Sequence, residues 1–213
     1  MTAATLDTRA TRMPDETRAN ILAVATREFA DKGLAGARID EIAEQTRTSK
    51  RMIYYYFDSK EGLYRAVLEA AYAHIRLSEP APDLAARSAI EALRDNVGAT
   101  FDYHWQHPEF VRLVMNENIH HGAHIGHVEG IKERNRSVIT ALRAILDQGA
   151  GEGSLRADID PVDLHMSISA LCFYNVSNRY TFSQVFEHDM SSPQAVAARR
   201  EQVIAMIIAS VVL

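Results

Sequence analysis

Hydrophobic positions recur every three to four residues along most of the chain, and long alternation of the Val/Ile/Thr kind is missing, so the pattern predicts a nearly all-helical protein. Ile21, Leu22, Ala25 and Phe29 form a first stripe. Pro14-Asp15-Glu16 opens it, since proline and carboxylates suit a first turn, and Lys32-Gly33 closes it with a left-handed glycine cap. Ile39, Ile42 and Ala43 give the inner face of a second, two-turn helix, and Ser49 caps a third in which Ile53 and Phe57 point inward together. Ser59 opens a fourth helix, residues 61–77, whose apolar positions Leu63, Ala66, Val67 and Ala70 keep the same period; it reads as a connector.

Ser78-Glu79-Pro80-Ala81-Pro82-Asp83 is the clearest linker, with Asp83 placed to cap the next helix. Beyond it the pattern predicts helices from Leu84 to about His104 and from Pro108 to about Glu117, a broken turn around Gly122 and Gly126, and a long helix to about Gln148. Three glycines in Gly149-Ala150-Gly151-Glu152-Gly153 predict a loop. Asp160-Pro161 then opens a helix to about Arg179, a polar connection follows, and Pro193 opens the last helix, residues 193–212. Val203, Ile204, Met206, Ile207, Ile208, Val211 and Val212 make its end apolar on more than one side, which would leave a patch on a lone chain. The expected use is a homodimer interface built from helices 161–179 and 193–212.

The formal charge of the 213-residue chain is -5, but it is spread unevenly. Residues 1–65 hold 11 Lys/Arg against 10 Asp/Glu, which leaves 12 against 18 for residues 66–213. From Arg47 to Arg65 the balance is clearly basic: Arg47, Lys50, Arg51, Lys60 and Arg65 face only Asp58 and Glu61. Such a patch on an acidic body can grip phosphates while the body is repelled from DNA. The apolar run Val203 to Leu213 is far shorter than the roughly 20 residues a membrane span needs, and residues 1–13 lack the apolar stretch of a secretory signal. A disordered tail, no membrane contact and a cytoplasmic location are therefore expected. Cys172, the single cysteine, sits in an apolar helical pattern and reads as a buried small hydrophobe.

The two short helices around Thr46-Arg47-Thr48 read as a helix-turn-helix. Lys50, Arg51 and Met52 occupy the first turns of its second helix, where lysine and arginine can donate to guanine acceptors and methionine can touch a thymine methyl. Tyr54, Tyr55 and Tyr56 fan out at 100° per residue, so those facing outward are placed for phosphate contacts, as is Lys60.

The order Ile-x-x-Ile-Ala-x-x-x-x-x-Ser-x-x-x-Ile-Tyr-x-Tyr-Phe-x-Ser-Lys-Glu-x-Leu resembles the N-terminal signature of TetR-family transcriptional regulators over residues 14–70. The resemblance implies a three-helix DNA-binding domain at residues 14–60 and a larger helical domain at 61–213 that dimerises and binds a small-molecule effector. It further implies a repressor released from a palindromic double-stranded DNA operator. By the same resemblance Lys50, Arg51 and Met52 match base-reading positions, while Ser49, Tyr54, Tyr55, Tyr56 and Lys60 match phosphate-contacting or supporting ones. Two positions depart from the family pattern. Thr46-Arg47-Thr48 stands where the family often has Ala-Gly-Val, and Ala37-Arg38 where it often has a threonine before the second helix. Arg47 must then take the turn glycine's conformation, at about 1 kcal/mol if left-handed; Arg47 and Arg38 are read as added phosphate contacts. An activator or a low-specificity DNA binder is the rival within binding proteins.

His120, His121, His124 and His127 follow Glu117 closely. On a helix His120, His124 and His127 would share a face, a spacing that could hold a divalent metal. Gly122 and Gly126 weaken a helix there, so a polar turn or cavity wall is the preferred reading and no metal is expected. No phosphate loop, dinucleotide glycine pattern, nucleophile elbow or zinc-protease pair occurs, so neither catalytic residues nor a cofactor are expected. A metal-dependent helical enzyme built on the histidine loop is the rival from another class. For an effector cavity, mostly apolar with a few polar groups, the candidates are Phe101, His104, Trp105, Phe110, Asn116, His120, Phe173, Tyr174 and Asn175.

Overall fold

Ile21, Val24, Ala25 and Phe29 are buried along one stripe of α1 (Thr8–Gly36) in the computed structural model, which describes residues 8–78 and 81–213. The helix begins before Pro14, so residues 8–13 of the expected disordered tail are helical. That segment is rich in helix formers, Arg9, Ala10, Arg12 and Met13, which favour helix despite the proline that follows. Residues 1–7 of the expected tail lie outside the described residues. At Gly33 the backbone leaves helical geometry (φ 65°, ψ 175°), at the place the sequence predicts, before one more turn to Gly36.

α2 (Ile39–Thr46), α3 (Lys50–Phe57) and α4 (Lys60–Ser78) complete the N-terminal bundle. Ile42, Ile53, Leu63, Val67 and Leu68 are fully buried with Phe29, whose ring meets Tyr64 edge-on at 5.1 Å. Each such side chain contributes about 1.5–3 kcal/mol by leaving water. Leu113, Val128 and Ile131 from farther along the chain pack into the same core. The N-terminal bundle is therefore bonded to the larger domain through shared apolar surface as well as through α4.

Gly62 is required by a close approach. A Cβ there would overlap the Phe57 carbonyl oxygen, and the Gly62 N–H donates to Ser59 Oγ at 2.9 Å, closing the turn from α3 into α4.

The larger domain contains α5 (Ala89–Gln106), α6 (Pro108–Ile119), a 3-10 turn (Ile125–His127), α7 (Glu129–Glu152), α8 (Pro161–Ser177), α9 (Arg179–Phe186) and α10 (Pro193–Val211). Leu93, Val97, Phe101, Leu142, Ile145, Leu164, Ile168, Cys172, Val203, Ile204 and Ile207 form its main core. Burial pushes the Cys172 thiol up to about 12, so it is an inert core group.

Three expectations are corrected here. α5 starts at Ala89 rather than Leu84, because Ser88 and Glu91 cap each other reciprocally, whereas Asp83 accepts from Ala86 N–H in a separate turn. Residues 149–152 are helical rather than a loop. A Cβ at Gly149 would overlap the side chain of buried Leu155, so the glycine admits that packing, and the helix runs on to Glu152, four residues past the expected end, where Gly153 (φ 69°) supplies the cap. The connection after α8, which ends at Ser177, folds as α9; Phe182 docks against Tyr174 (ring centroids 6.1 Å apart) and Phe186 (4.5 Å), giving the polar-looking segment an apolar anchor. Among the described residues no helix is long and apolar enough to cross a membrane.

Candidate nucleic-acid interface and ligand cavity

The turn between α2 and α3 is closed by Thr48 N–H donating to the Ala43 carbonyl (3.0 Å) and Arg47 N–H donating to that of Glu44 (3.1 Å), the paired bonds of a Schellman turn. Arg47 takes the left-handed conformation (φ 52°, ψ 38°), at a cost of about 1–2 kcal/mol for a side chain with a Cβ. Ser49 Oγ accepts from Met52 N–H at 3.2 Å and starts α3. With Ile53 and Phe57 buried, α3 presents Lys50, Arg51, Met52, Tyr54 and Tyr55 to solvent, Tyr55 with 76% of its surface exposed. Tyr56 is half-buried against the core and stacks edge-on to Tyr55 at 5.3 Å, so it supports the face more than it extends it.

Three cations of this face, Lys50, Arg38 and Lys60, have local partners. Asp40 holds Lys50 in an ion pair and lies 4.0 Å from Arg38. Exposed pairs of this kind contribute about 0–1 kcal/mol, little enough for a phosphate or base to displace them. Lys60 Nζ donates to the Ala35 carbonyl at 3.4 Å, tying the end of α1 to the start of α4. Buried Glu28 accepts from Arg38 N–H (3.2 Å) and pairs with Lys32 (2.9 Å), fixing the corner between α1 and α2. Exposed Arg18, which lies over the Phe57 ring at 5.2 Å, and exposed Arg65 flank the same end. Arg18 carries no local sequence signal for this place, since only the packing of α1 on α3 brings it there.

The histidine segment is a turn and not a helix, so His120, His124 and His127 do not share a face. It is organised by Glu117, 3% exposed on α6. Glu117 Oε2 accepts from His124 N–H (3.1 Å) and Ile125 N–H (2.9 Å), and Oε1 meets His124 Nδ1 at 3.0 Å. The Tyr64 hydroxyl of α4 also donates to this carboxylate. Burial alone would raise the Glu117 pKa, but the bonds from Ile125 N–H, His124 N–H, the His124 ring and Tyr64 outweigh it and hold the carboxyl below the usual range. The His124 and Tyr64 rings meet at 5.3 Å. Nearby, Asn116 donates to the Phe29 carbonyl at 3.3 Å and Arg112 pairs with Asp31 on α1. Glu117 and its neighbours thus join α6 to both α1 and α4.

A cavity of about 320 Å³ opens between α5, α8, α9 and α10. Of the predicted ligand residues, Phe101, Trp105, Tyr174 and Asn175 line it. The other five lie elsewhere. His104 is buried with Nδ1 2.7 Å from the Thr100 carbonyl, its ring between Phe110 and Phe173 (centroids 5.8 and 6.0 Å away), in a separate aromatic cluster. Asn116 belongs to the α1 contact, and His120 is an exposed C-cap of α6. The remaining lining includes Phe182, His188, Asp189 and Met190, which the sequence reading missed because it took residues 180–192 for a polar connection, and Arg199 and Gln202, missed because their helix was read as a dimer interface. The adjacent Arg199-Arg200 at the start of an apolar helix was the one signal available.

The family described as "Bacterial regulatory proteins, tetR family" matches residues 21–67, and "Tetracyclin repressor-like, C-terminal domain" matches residues 90–207. The chain is similar to the HTH-type transcriptional repressor NicS of Pseudomonas putida, 37% identical over 183 residues that cover 86% of each chain. It is also similar to the HTH-type transcriptional repressor SCO4008 of Streptomyces coelicolor, 37% identical over 142 residues, 66% of this chain and 70% of that one. Among solved structures the transcriptional regulator SCO4942 from Streptomyces coelicolor aligns with a TM-score of 0.70 and 27% identity, over 92% of this chain and 98% of the other.

Proposed function

We infer the mechanism from one premise: the chain belongs to the TetR family of bacterial regulatory proteins and is a DNA-binding transcriptional regulator of the repressor type. The observation that carries the reading is α3, whose N-terminal half exposes Lys50, Arg51 and Met52 behind the capping serine while Ile53 and Phe57 anchor it. In this reading Lys50, Arg51 and Met52 touch base edges. Arg38, Arg47, Ser49, Tyr54, Tyr55 and Lys60 grip or position phosphates, and Tyr56 supports them.

The protein acts as a homodimer through α8 and α10. Val162 and Met166 on α8 and Met206 on α10 are 55%, 64% and 51% exposed, an apolar face that a second copy would cover. Two α3 helices then enter successive major grooves about 34 Å apart on one side of a palindrome. Residues 14–60 form the DNA-binding unit, with 61–77 connecting it to an effector and dimerisation unit ending at 213. An effector in the α5/α8/α9/α10 cavity shifts α6 and α4 through the Glu117 junction, changes the separation of the α3 pair and releases DNA. A coupling of about 1–3 kcal/mol gives 5- to 150-fold release.

Selection of bound duplexes from a random pool tests this reading. A palindromic motif with half-sites about one helical turn apart is expected, and recovery of unrelated sequences would contradict it.

A further inference from the structure

The cavity between α5, α8, α9 and α10 carries a charge that its own walls leave uncompensated. Arg199 and Arg200 are neighbours on α10, yet their surroundings differ. Arg200 Nε donates to both carboxylate oxygens of Asp102 (2.9 and 3.1 Å), and its Nη1 donates to Glu201 at 3.0 Å. Arg199 is half-buried and lines the cavity, and its Nε donates to Asn175 Oδ1 at 3.0 Å. Among the described residues no carboxylate forms an ion pair with Arg199.

Asn175 is 3% exposed, and its Nδ2 donates to the Leu171 carbonyl, which turns Oδ1 toward the arginine. A neutral amide thus orients the guanidinium without neutralising it. Half-buried cations are ordinarily paired, because taking charge out of water is costly, so the arrangement suits an arginine whose anion arrives with a ligand. The one carboxylate on the cavity's rim, Asp189, is exposed, and its Oδ1 is occupied by the N–H groups of Ser191 and Ser192 ahead of α10.

The rest of the lining sets the ligand's body. Phe101, Trp105, Tyr174 and Phe182 offer aromatic surface, and Arg179 lies over the Trp105 ring at 5.5 Å. A volume of about 320 Å³ is at the low end for ligand pockets, roughly 300–1,000 Å³, so the occupant is small. Arg199 is the one arginine among the lining residues, Arg179 being turned to the Trp105 ring, and a single guanidinium with an acid at the rim favours a monoanion over a phosphate ester.

We propose that this cavity binds a small planar aromatic carboxylate, its carboxylate forked on Arg199 and its ring against Trp105 and Tyr174. The proposal rests on the effector-responsive reading above and names the class of its ligand.

Trp105 is the only tryptophan of the chain, so its fluorescence reports the cavity directly. The full-length protein is titrated with benzoate and 2-naphthoate, and with benzamide as the uncharged control. The melting temperature and operator binding are followed in the same samples. At least one carboxylate should perturb Trp105 and raise the melting temperature, with benzamide weaker by about tenfold or more. Arg199→Gln should lose that preference and Arg199→Lys should keep part of it. Benzamide binding as tightly as the carboxylates, Arg199→Gln binding undiminished, or no response to either carboxylate overturns the proposal. Operator binding separates the two readings. A protein that binds its operator but no carboxylate refutes the ligand class alone. One that binds the carboxylate yet holds DNA equally well with and without it supports the ligand class and refutes the effector role.

Discussion

Replacing Glu117 by alanine should cost the protein about 3–4 kcal/mol, because this carboxylate is the acceptor for several donors from two other segments, the turn at His124–Ile125 and α4. The Tyr64 hydroxyl, on a side chain 1% exposed, loses its carboxylate partner in a place water does not reach. The N–H groups of His124 and Ile125 sit in a half-buried turn and regain water in part. A stranded buried donor costs about 1–3 kcal/mol and a partly hydrated one less, which gives the total. Glu117→Gln keeps one oxygen for the two backbone donors and should cost about 1–2 kcal/mol. For a chain of this size each kcal/mol moves the melting temperature by about 2–4 °C, so alanine should lower it by about 10 °C and glutamine by about 4 °C.

Acid unfolding provides a second readout. The Glu117 pKa is depressed in the folded state, so its contribution is present above the ordinary carboxylate range and lost as pH falls through the folded value. Glu117→Gln should accordingly flatten the acid limb of a stability–pH curve. The assay is thermal and urea unfolding of the two variants beside the parent protein. An alanine variant within about 3 °C of the parent, or a glutamine variant below the alanine one, would refute the argument.

Other consequences follow from the same geometry. Arg47→Gly should relieve a left-handed side chain and, after the entropy cost of glycine, raise stability by up to about 1 kcal/mol while lowering the salt slope of DNA binding by about 0.9; a fall in melting temperature with DNA binding unchanged would oppose both halves. Met166→Glu places a charge on the apolar α8 face and should shift sedimentation toward monomer, with little loss of monomer stability because the side chain is 64% exposed there; a dimer that survives would move the interface elsewhere. Burial, with the charges of Arg76 and His104, holds His165 at about 4, against about 6.5 in an unfolded chain. The unfolded state therefore binds more protons between those values, and stability should fall as pH drops from about 6.5 toward 4; a His165→Leu variant with an equally steep decline would remove the assignment.

The N-terminal half was legible because its signals are local. Ser49 caps the helix it precedes, Ile53 and Phe57 share a face at helical spacing, and Arg47 occupies a position whose conformation the turn dictates. The larger domain was legible as helices but less so as a site. Gly149 reads as a helix breaker until Leu155, six residues on, is seen folded back against it. α9 reads as polar until Phe182 and Phe186 find Tyr174. With α9 unseen, the cavity it closes could not be drawn. The sequence therefore yielded Phe101, Trp105, Tyr174 and Asn175 but neither Phe182 nor Arg199. Glu117 drew notice as a neighbour of histidines, whereas its role depends on Tyr64, far away in sequence, and on a turn that the histidines themselves do not determine.

Fluorescence anisotropy on duplex DNA flanking the protein's own gene, against a scrambled duplex at two salt concentrations, tests the central claim most directly. Tight binding to the native duplex, weak binding to the scrambled one, and loss of that difference in Arg51→Ala are expected, while nonspecific affinity falls only slightly. Equal affinity for both duplexes, or an Arg51→Ala variant that discriminates as well as the parent protein, would contradict it.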